Sequence, residues 1–218
     1  MTITAQETAT QERVAADALE VIPTSAALGA TVNGVNLRDL SEATFARILQ
    51  AWHQHSVLLF RGQTLTDQDL IAFSRRLGDL DWAPVQETGR RFVEGLPEIY
   101  IVSNVKVNGE PIGSLGDGEA VWHTDMSYLD LPPKASMLYL GRRRNAYLAG
   151  LELAESDALL NELWSIVDRR EFSWEHVWRV GDLVLWDNRC TMHRRDAFDP
   201  DSRRIMHRTQ VKGDARPA

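Results

Sequence analysis

Three positions constrain this chain more than any other feature: a His-x-Asp pair at His123 and Asp125, and a distant histidine, His193. On a β-strand, residues i and i+2 point to the same face, so His123 and Asp125 can reach one ion. His193 belongs to a different part of the chain. If the three side chains act together, the fold must bring separate segments to one place.

The chemistry of these side chains predicts a metal site. Two imidazoles and one carboxylate can occupy one face of an octahedral ferrous ion, while the opposite face stays open for a bidentate organic acid and for dioxygen. Arg204 follows His193 by eleven residues and offers the fixed cation that such an acid needs. A His-x-Asp pair alone is weak evidence, but the whole constellation favours an oxygen-activating enzyme.

The composition is that of one soluble domain. The chain has 218 residues, 44% hydrophobic and 25% charged, which is enough for one sizeable core. A net charge of -7 argues against nucleic-acid and membrane partners. A single cysteine, Cys190, excludes an intrachain disulfide and a cysteine-rich zinc site. Because the chain shows no signal peptide and no apolar run of membrane-spanning length, we expect a cytoplasmic protein.

Hydrophobic periodicity predicts short strands separated by a few helices. The predicted helix signals are an N-cap at Ser41, near-capping-box spacing of Thr66 and Asp69 with Gly78 closing that helix, and an N-cap at Ser156 or Asp157 before an apolar side with Leu159 and Leu163. The predicted strands are a glycine-punctuated pair within 27–35, a buried strand at 56–60, a strand at 98–102, and a hairpin of 177–180 and 183–186.

This order of elements predicts a mixed α/β fold that is mainly β. Short strands interrupted by helices indicate a double-stranded β-helix, or jelly roll, with flanking helices. Residues 1–18 are polar, and we expect a disordered tail there. Residues 19–218 contain neither an internal repeat nor a low-complexity linker, which predicts a single domain.

The segments around the predicted metal ligands resemble one protein family. The matching segments are Trp122–Asp125, Trp186–His193, Arg203–Arg208, Leu59–Gln63 and Arg75–Leu80. Together they resemble the taurine dioxygenase (TauD/TfdA) family of Fe(II)- and 2-oxoglutarate-dependent dioxygenases. The likeness extends over about residues 25–214, and the combination of segments is far more specific than the His-x-Asp pair.

The resemblance implies a role for each matched position. His123, Asp125 and His193 would ligate iron. Arg204 would pair with the distal carboxylate of 2-oxoglutarate, because its planar fork can bond both carboxylate oxygens. Arg208 matches the position that holds the anionic group of the substrate in taurine dioxygenase. The implied reaction consumes 2-oxoglutarate and O2, hydroxylates a small organic anion, and yields succinate and CO2.

The predicted substrate pocket differs from that of taurine dioxygenase. Glu119 stands four residues before His123, where the resemblance leads us to expect asparagine. Trp122 borders the ligands, so we predict Arg208, Trp122 and Glu119 as substrate contacts. The expected substrate is a sulfonate, sulfate ester, carboxylate or aryloxyalkanoate rather than taurine. Homo-oligomers are common among such enzymes, and we expect one here.

The middle of the chain is shorter than the family pattern. Several dozen residues, including a threonine that helps bind 2-oxoglutarate and elements of a lid, have no counterpart near residues 137–141. Active-site lids are commonly mobile without ligand. We therefore hypothesise that lid residues are absent from this sequence rather than deleted from the natural protein.

Two other functions stay open on the sequence alone. A catalytically silent jelly-roll protein could bind an organic anion in the same pocket, and a cupin-like hydrolase or isomerase could use a similar ligand set. Retention of all three ligands counts against the silent protein, because a binding protein does not need open iron positions. Arg204, at its spacing from His193, counts against the cupin-like enzyme.

Several further polar residues have structural interpretations. Three arginines fit a solvated basic run as readily as a functional cluster: Arg194, Arg195 and Arg203. His176 is expected on the surface of the predicted hairpin, and Cys190 as a small buried hydrophobe. His207 is expected on the strand face opposite Arg204 and Arg208.

Overall fold

The structure is a computed structural model of the chain, and it describes residues 19–83, 92–113, 120–126, 133–134, 150–167 and 169–214. Three predictions lie outside these residues: the 1–18 tail, Glu119 and the junction near 137–141. Among the described residues, no helix is long and apolar enough to cross a membrane.

The described part is mixed α/β and mainly sheet. The helices are α1 (Glu42–His55), α2 (Asp67–Arg75) and α3 (Leu153–Val167). The strands are β1 (Glu20–Pro23), β2 (Ala30–Asn33), β3 (Val57–Phe60), β4 (Phe92–Val93), β5 (Leu96–Ser103), β6 (Lys106–Val107), β7 (Glu110–Pro111), β8 (Ala120–His123), β9 (Leu183–Trp186), β10 (His193–Arg195) and β11 (Ile205–Arg208).

Helix α1 begins at the predicted cap. The Ser41 hydroxyl oxygen accepts a hydrogen bond from the Thr44 backbone N–H at 3.1 Å, which satisfies one of the donors that the first turn leaves free. The helix ends at Ser56, whose own N–H donates to the Trp52 carbonyl oxygen. Three apolar side chains at helical spacing are buried in the main core: Phe45, Ile48 and Trp52.

Helix α2 carries the predicted capping box. The Thr66 hydroxyl oxygen accepts from the Asp69 N–H, and the Asp69 carboxylate accepts from the Thr66 N–H at 2.9 Å. After Arg75 the backbone tightens, since residues 76–78 donate to carbonyls three positions earlier, as is common where an α-helix ends. Gly78 then leaves the turn at a φ of +150°, so it ends this segment as predicted.

The main sheet has the strand order β1-β2-β3-β9. The β2 and β3 strands are parallel, and the two outer pairings are antiparallel. All four residues of β3 are buried, because alternate side chains enter two core clusters on opposite faces. The predicted strand pair within 27–35 is wrong: only Ala30–Asn33 is a strand, and its antiparallel partner is β1.

Two smaller sheets position the predicted site. One pairs β8 with β10, and the other has the order β11-β5-β4. In the second sheet, Arg208 lies directly opposite Tyr100. A further short ladder joins β6 and β7.

The predicted hairpin of 177–180 and 183–186 is wrong. Strand β9 pairs antiparallel with β3, with Leu185 opposite Leu58. This pairing places Leu185 in the main core, whereas Val177 and Val180 are 70% and 104% exposed. The 183–186 strand is therefore stabilised by burial against β3 and not by pairing with residues 177–180 across the 181–182 turn.

The predicted start of the third helix is also wrong. Helix α3 begins at Leu153, and Ser156 lies inside it, with its N–H bonded to the Glu152 carbonyl oxygen at 2.9 Å. Ser156 is buried rather than a cap at the surface. The predicted apolar side does not enter the described core, since Leu159 and Leu163 are 40% and 45% exposed.

Candidate metal centre

The β8–β10 ladder brings the two predicted histidine ligands together. His123 and His193 are direct partners in the antiparallel register, and their ring centroids are 4.0 Å apart. Residues directly opposite each other on neighbouring strands have Cβ atoms about 5 Å apart, so their side chains can meet. The pairing therefore converts a large sequence separation into side-chain contact distance.

Asp125 completes the cluster just beyond the end of β8. One ligand atom from each of His123, Asp125 and His193 lies within 4.8 Å of the others. The two histidines and the aspartate are mostly shielded from water, with His123 and Asp125 only 3% and 1% exposed. A buried set of two imidazoles and one carboxylate without thiolate fits Fe(II) and leaves coordination positions for other ligands.

The local electrostatics favour a neutral His193. Burial, together with the neighbouring charges of His123 and Arg208, lowers the pKa of His193 to about 3. A neutral imidazole is the form that offers a nitrogen lone pair to a metal. The site therefore holds this ring in its ligating form throughout the physiological pH range.

Asn188 fixes the backbone of Asp125, a role that the sequence did not assign. Its Oδ1 accepts from the Asp125 N–H at 3.0 Å, and its Nδ2 donates to the Asp125 carbonyl oxygen at 2.9 Å. The same amide donates to the Pro133 carbonyl oxygen at 3.1 Å. Asn188 is 1% exposed. The signal available in the sequence was its place in the matched segment between Trp186 and His193.

Arg208 lies beside the carboxylate ligand. Its Nη1 is 3.7 Å from Asp125 Oδ2, and its guanidinium carbon is 4.9 Å from the centre of the Tyr100 ring. Burial lowers the pKa of Arg208, while the charge of Asp125 acts to raise it. His207, the next residue back, instead contacts Asp67 on α2. The alternation along β11 therefore directs Arg208, and not His207, toward the metal ligands.

Arg204 lies at the entry to β11 and is partly buried. Its backbone N–H donates to Asn104 Oδ1 at 3.0 Å, and its guanidinium carbon lies 4.6 Å from the centre of the Phe198 ring. Burial lowers the pKa of Arg204, and the charge of Arg195 lowers it further. The backbone is thus held in place while the cation is partly withdrawn from water.

Trp122 occupies the other side of the ladder. The Arg194 guanidinium carbon lies 5.2 Å from the centre of the Trp122 ring, and both residues adjoin a histidine ligand in sequence. Since neighbouring residues on a strand point to opposite faces, this contact lies on the face away from the metal ligands. The predicted substrate contact of Trp122 stays a prediction, as does that of Glu119, which lies outside the described residues.

Two sequence expectations near the site are wrong. The His176 side chain is only 10% exposed, with Nε2 3.3 Å from Asp182 Oδ2, because the rings of Trp174 and Trp178 pack against the imidazole. Cys190 is exposed rather than buried. It belongs to the turn after β9, where the Asp187 carbonyl oxygen accepts its N–H.

Comparison with known proteins agrees with this centre. Residues 20–143 and 139–210 match the family described as taurine catabolism dioxygenase TauD, TfdA family. An (S)-phenoxypropionate/alpha-ketoglutarate-dioxygenase of Sphingobium herbicidovorans is 23% identical over 291 residues, covering 90% of this chain and 96% of the relative. That alignment is longer than this chain of 218 residues, so the relative carries segments that have no counterpart here.

Two further relatives extend the comparison. An alpha-ketoglutarate-dependent sulfate ester dioxygenase of Pseudomonas putida is 27% identical over 271 residues, covering 90% of each chain. The crystal structure of a taurine dioxygenase from Burkholderia xenovorans has a TM-score of 0.73 and 26% identity and covers 91% of each chain. The extent of the family match, together with the His123, Asp125 and His193 cluster, shows that this chain belongs to the TauD/TfdA family of Fe(II)- and 2-oxoglutarate-dependent dioxygenases.

Proposed function

We propose that this dioxygenase hydroxylates a small organic anion: a sulfonate, a sulfate ester, a carboxylate or an aryloxyalkanoate. The observation that carries the proposal is Arg208, a buried cation whose Nη1 lies 3.7 Å from the carboxylate of Asp125. A cation at this depth would recognise an anionic group and hold the adjoining carbon near the metal ligands. The named relatives act on a phenoxypropionate and on sulfate esters.

The finer architecture is part of the proposal. The β8–β10 ladder and the β11-β5-β4 sheet would be portions of a jelly roll within a single domain of residues 19–218. The protein would act in the cytoplasm as a homo-oligomer, without nucleic-acid or membrane partners. The net charge of -7 agrees with the absence of a nucleic-acid partner.

Each site residue has a proposed task. His123, Asp125 and His193 would hold the ferrous ion, and Asn188 would keep the Asp125 backbone in position for it. When bound, the ion and 2-oxoglutarate supply the oxidising power, so that one atom of O2 enters a substrate C–H bond and the other enters succinate, with release of CO2.

The remaining side chains bind and orient the reactants. Arg204 would accept the distal carboxylate of 2-oxoglutarate, with its backbone fixed by Asn104. Arg208 would bind the anionic end of the substrate, and Glu119 is the further proposed substrate contact. Because His123 and Asp125 are almost fully buried, bulk water is kept away from the ligands, which protects the chemistry from side reactions.

A substrate screen tests the proposal. Succinate release is measured with a phenoxyalkanoate, an alkyl sulfate ester and an alkylsulfonate, each beside a neutral analogue of the same shape. We expect turnover of an anion and not of its neutral analogue. Arg208→Gln should raise the KM for the anion by about 10-fold or more, while Arg194→Gln, a matched arginine on the other side of the ladder, should not. Equal turnover of the neutral analogue would contradict the proposal.

A further inference from the structure

Two arginines lie against the same aromatic ring. The guanidinium carbon of Arg204 is 4.6 Å from the centre of the Phe198 ring, and that of Arg195 is 5.3 Å from the same centre. Both distances are within the range of cation–π attraction. Phe198 thus gathers two permanent positive charges at one place, although the chain as a whole carries a net charge of -7.

Arg195 belongs to the face of β10 that carries the metal ligand. It follows His193 by two residues on the same three-residue strand, and residues i and i+2 point to the same face. The register of the β8–β10 ladder shifts between the pairs His123–His193 and Ala120–Arg195. The extra residue lies in β8, so the alternation of side chains along β10 is unchanged. Arg194, between them, contacts Trp122 instead.

The other two arginines of the basic run, Arg194 and Arg203, are more exposed than Arg195. Arg194 has 45% of its side chain exposed and faces Asp196 at 3.4 Å, and Arg203 is exposed. Arg195 is partly buried, and its Nε is shielded from solvent. Of the three arginines that sequence alone left open, Arg195 is therefore the one that the fold places beside Arg204.

Two guanidinium groups held close to each other repel, and a carboxylate placed between them gains from both charges. Arg204 is already anchored, since Asn104 accepts its N–H and donates to the Ser202 carbonyl oxygen at 2.8 Å. Such preorganisation suits binding of a rigidly oriented anion. Arg195 shares a face of β10 with the ligand His193, so this pair of cations lies on the same side of the ladder as the metal ligands.

We propose that Arg195, Phe198 and Arg204 form a two-cation clamp, in which Arg195 is a second binding residue for the distal carboxylate of 2-oxoglutarate. This assignment rests on the proposed role of Arg204 and extends it to a side chain that the family resemblance does not mark. Phe198 positions both cations through its ring face and makes no hydrogen bond to the carboxylate.

Calorimetric binding to the metal-loaded enzyme without O2 tests the clamp independently of turnover. The probes are 2-oxoglutarate and 2-oxobutanoate, which keeps the oxo-acid end but lacks the distal carboxylate. Arg195→Gln should weaken 2-oxoglutarate binding by about 10-fold, the effect of one charge-assisted hydrogen bond, and leave 2-oxobutanoate binding unchanged. Arg195→Lys should recover part of the loss, because it restores the charge but not the planar fork.

Matched variants separate the clamp from the function it extends. Arg194→Gln should bind both probes like the unmodified enzyme, and Arg204→Gln should lose 2-oxoglutarate binding. If Arg204→Gln loses binding while Arg195→Gln keeps it, the clamp is overturned and the proposed role of Arg204 stands. An equal loss of both probes in Arg195→Gln would also overturn it. If the unmodified metal-loaded enzyme binds 2-oxoglutarate no better than 2-oxobutanoate, the clamp and the role of Arg204 fall together.

Discussion

Asn188 holds Asp125 by both backbone groups: it accepts from the Asp125 N–H at 3.0 Å and donates to the Asp125 carbonyl oxygen at 2.9 Å. One side-chain amide thereby replaces the strand pairing that ends at His123. Because a carboxylate ligand must be held within a fraction of an ångström to support a metal, this contact couples the loop after β9 directly to the metal centre.

Asn188→Ala should weaken metal binding and the fold together. The change leaves the buried backbone groups of Asp125 without their partner, which costs about 2–3 kcal/mol in the free energy of unfolding. It should also lower Fe(II) affinity by about 10- to 100-fold. Chemical unfolding and anaerobic metal titration measure the two effects, with Asn33→Ala on the exposed end of β2 as the control. Unchanged metal affinity in Asn188→Ala would show that Asp125 is held by other contacts.

Thr66→Ala should reduce stability without reducing activity. The capping box of α2 lies at its exposed N-terminus, and the loss of such a cap costs about 1 kcal/mol. Unfolding in urea compares this variant with Thr64→Ala, an exposed threonine that is not part of the cap. A free energy of unfolding that falls equally in both variants would refute the contribution of the cap.

His176 should make the protein less stable in mild acid. Burial lowers the pKa of His176 below its ordinary value of 6.5, with the charges of Arg61 and Arg179 acting in the same direction and that of Asp182 opposing them. The unfolded chain then takes up the proton more readily than the folded protein, so stability is present above pH 6.5 and is lost as the pH falls below it.

Unfolding at about pH 7.5 and about pH 5.5, on either side of the ordinary histidine pKa, measures this contribution. The unmodified protein should lose more of its free energy of unfolding than His176→Gln, which cannot gain a charge. His193 and the carboxylates titrate in both proteins, so the difference between the two isolates His176. An equal loss in both proteins would mean that the imidazole has the same pKa in the folded and unfolded states.

Local signals predicted the parts of the fold that depend on neighbouring residues. The cap at Ser41 and the box at Thr66 and Asp69 involve residues three apart, so a sequence shows them directly. The partner of β9 is not a local property. Leu183–Trp186 has a turn and another apolar run just before it, yet it pairs with β3 and places Leu185 in the main core. Only the assembled core decides between the two partners.

The same distinction applies to the metal centre. His123, Asp125 and His193 were predicted from residue type and flanking segments, and the β8–β10 register brings them together. The positioning contact of Asn188 depends on a loop that meets Asp125 only after folding. The burial of His176 likewise depends on Asp182 and on the rings of Trp174 and Trp178, which contact it only in the folded chain.

Iron-dependent succinate formation tests the central claim most directly. With 2-oxoglutarate, O2 and a turned-over anion, the enzyme should release succinate only when Fe(II) is present. His123→Ala should reduce that rate by at least about 100-fold, because it removes a metal ligand itself and not a residue that only orients a ligand. His53→Ala, on the exposed end of α1, should retain the rate. Substrate-dependent succinate release that persists in His123→Ala would contradict the assignment of this cluster as the iron site.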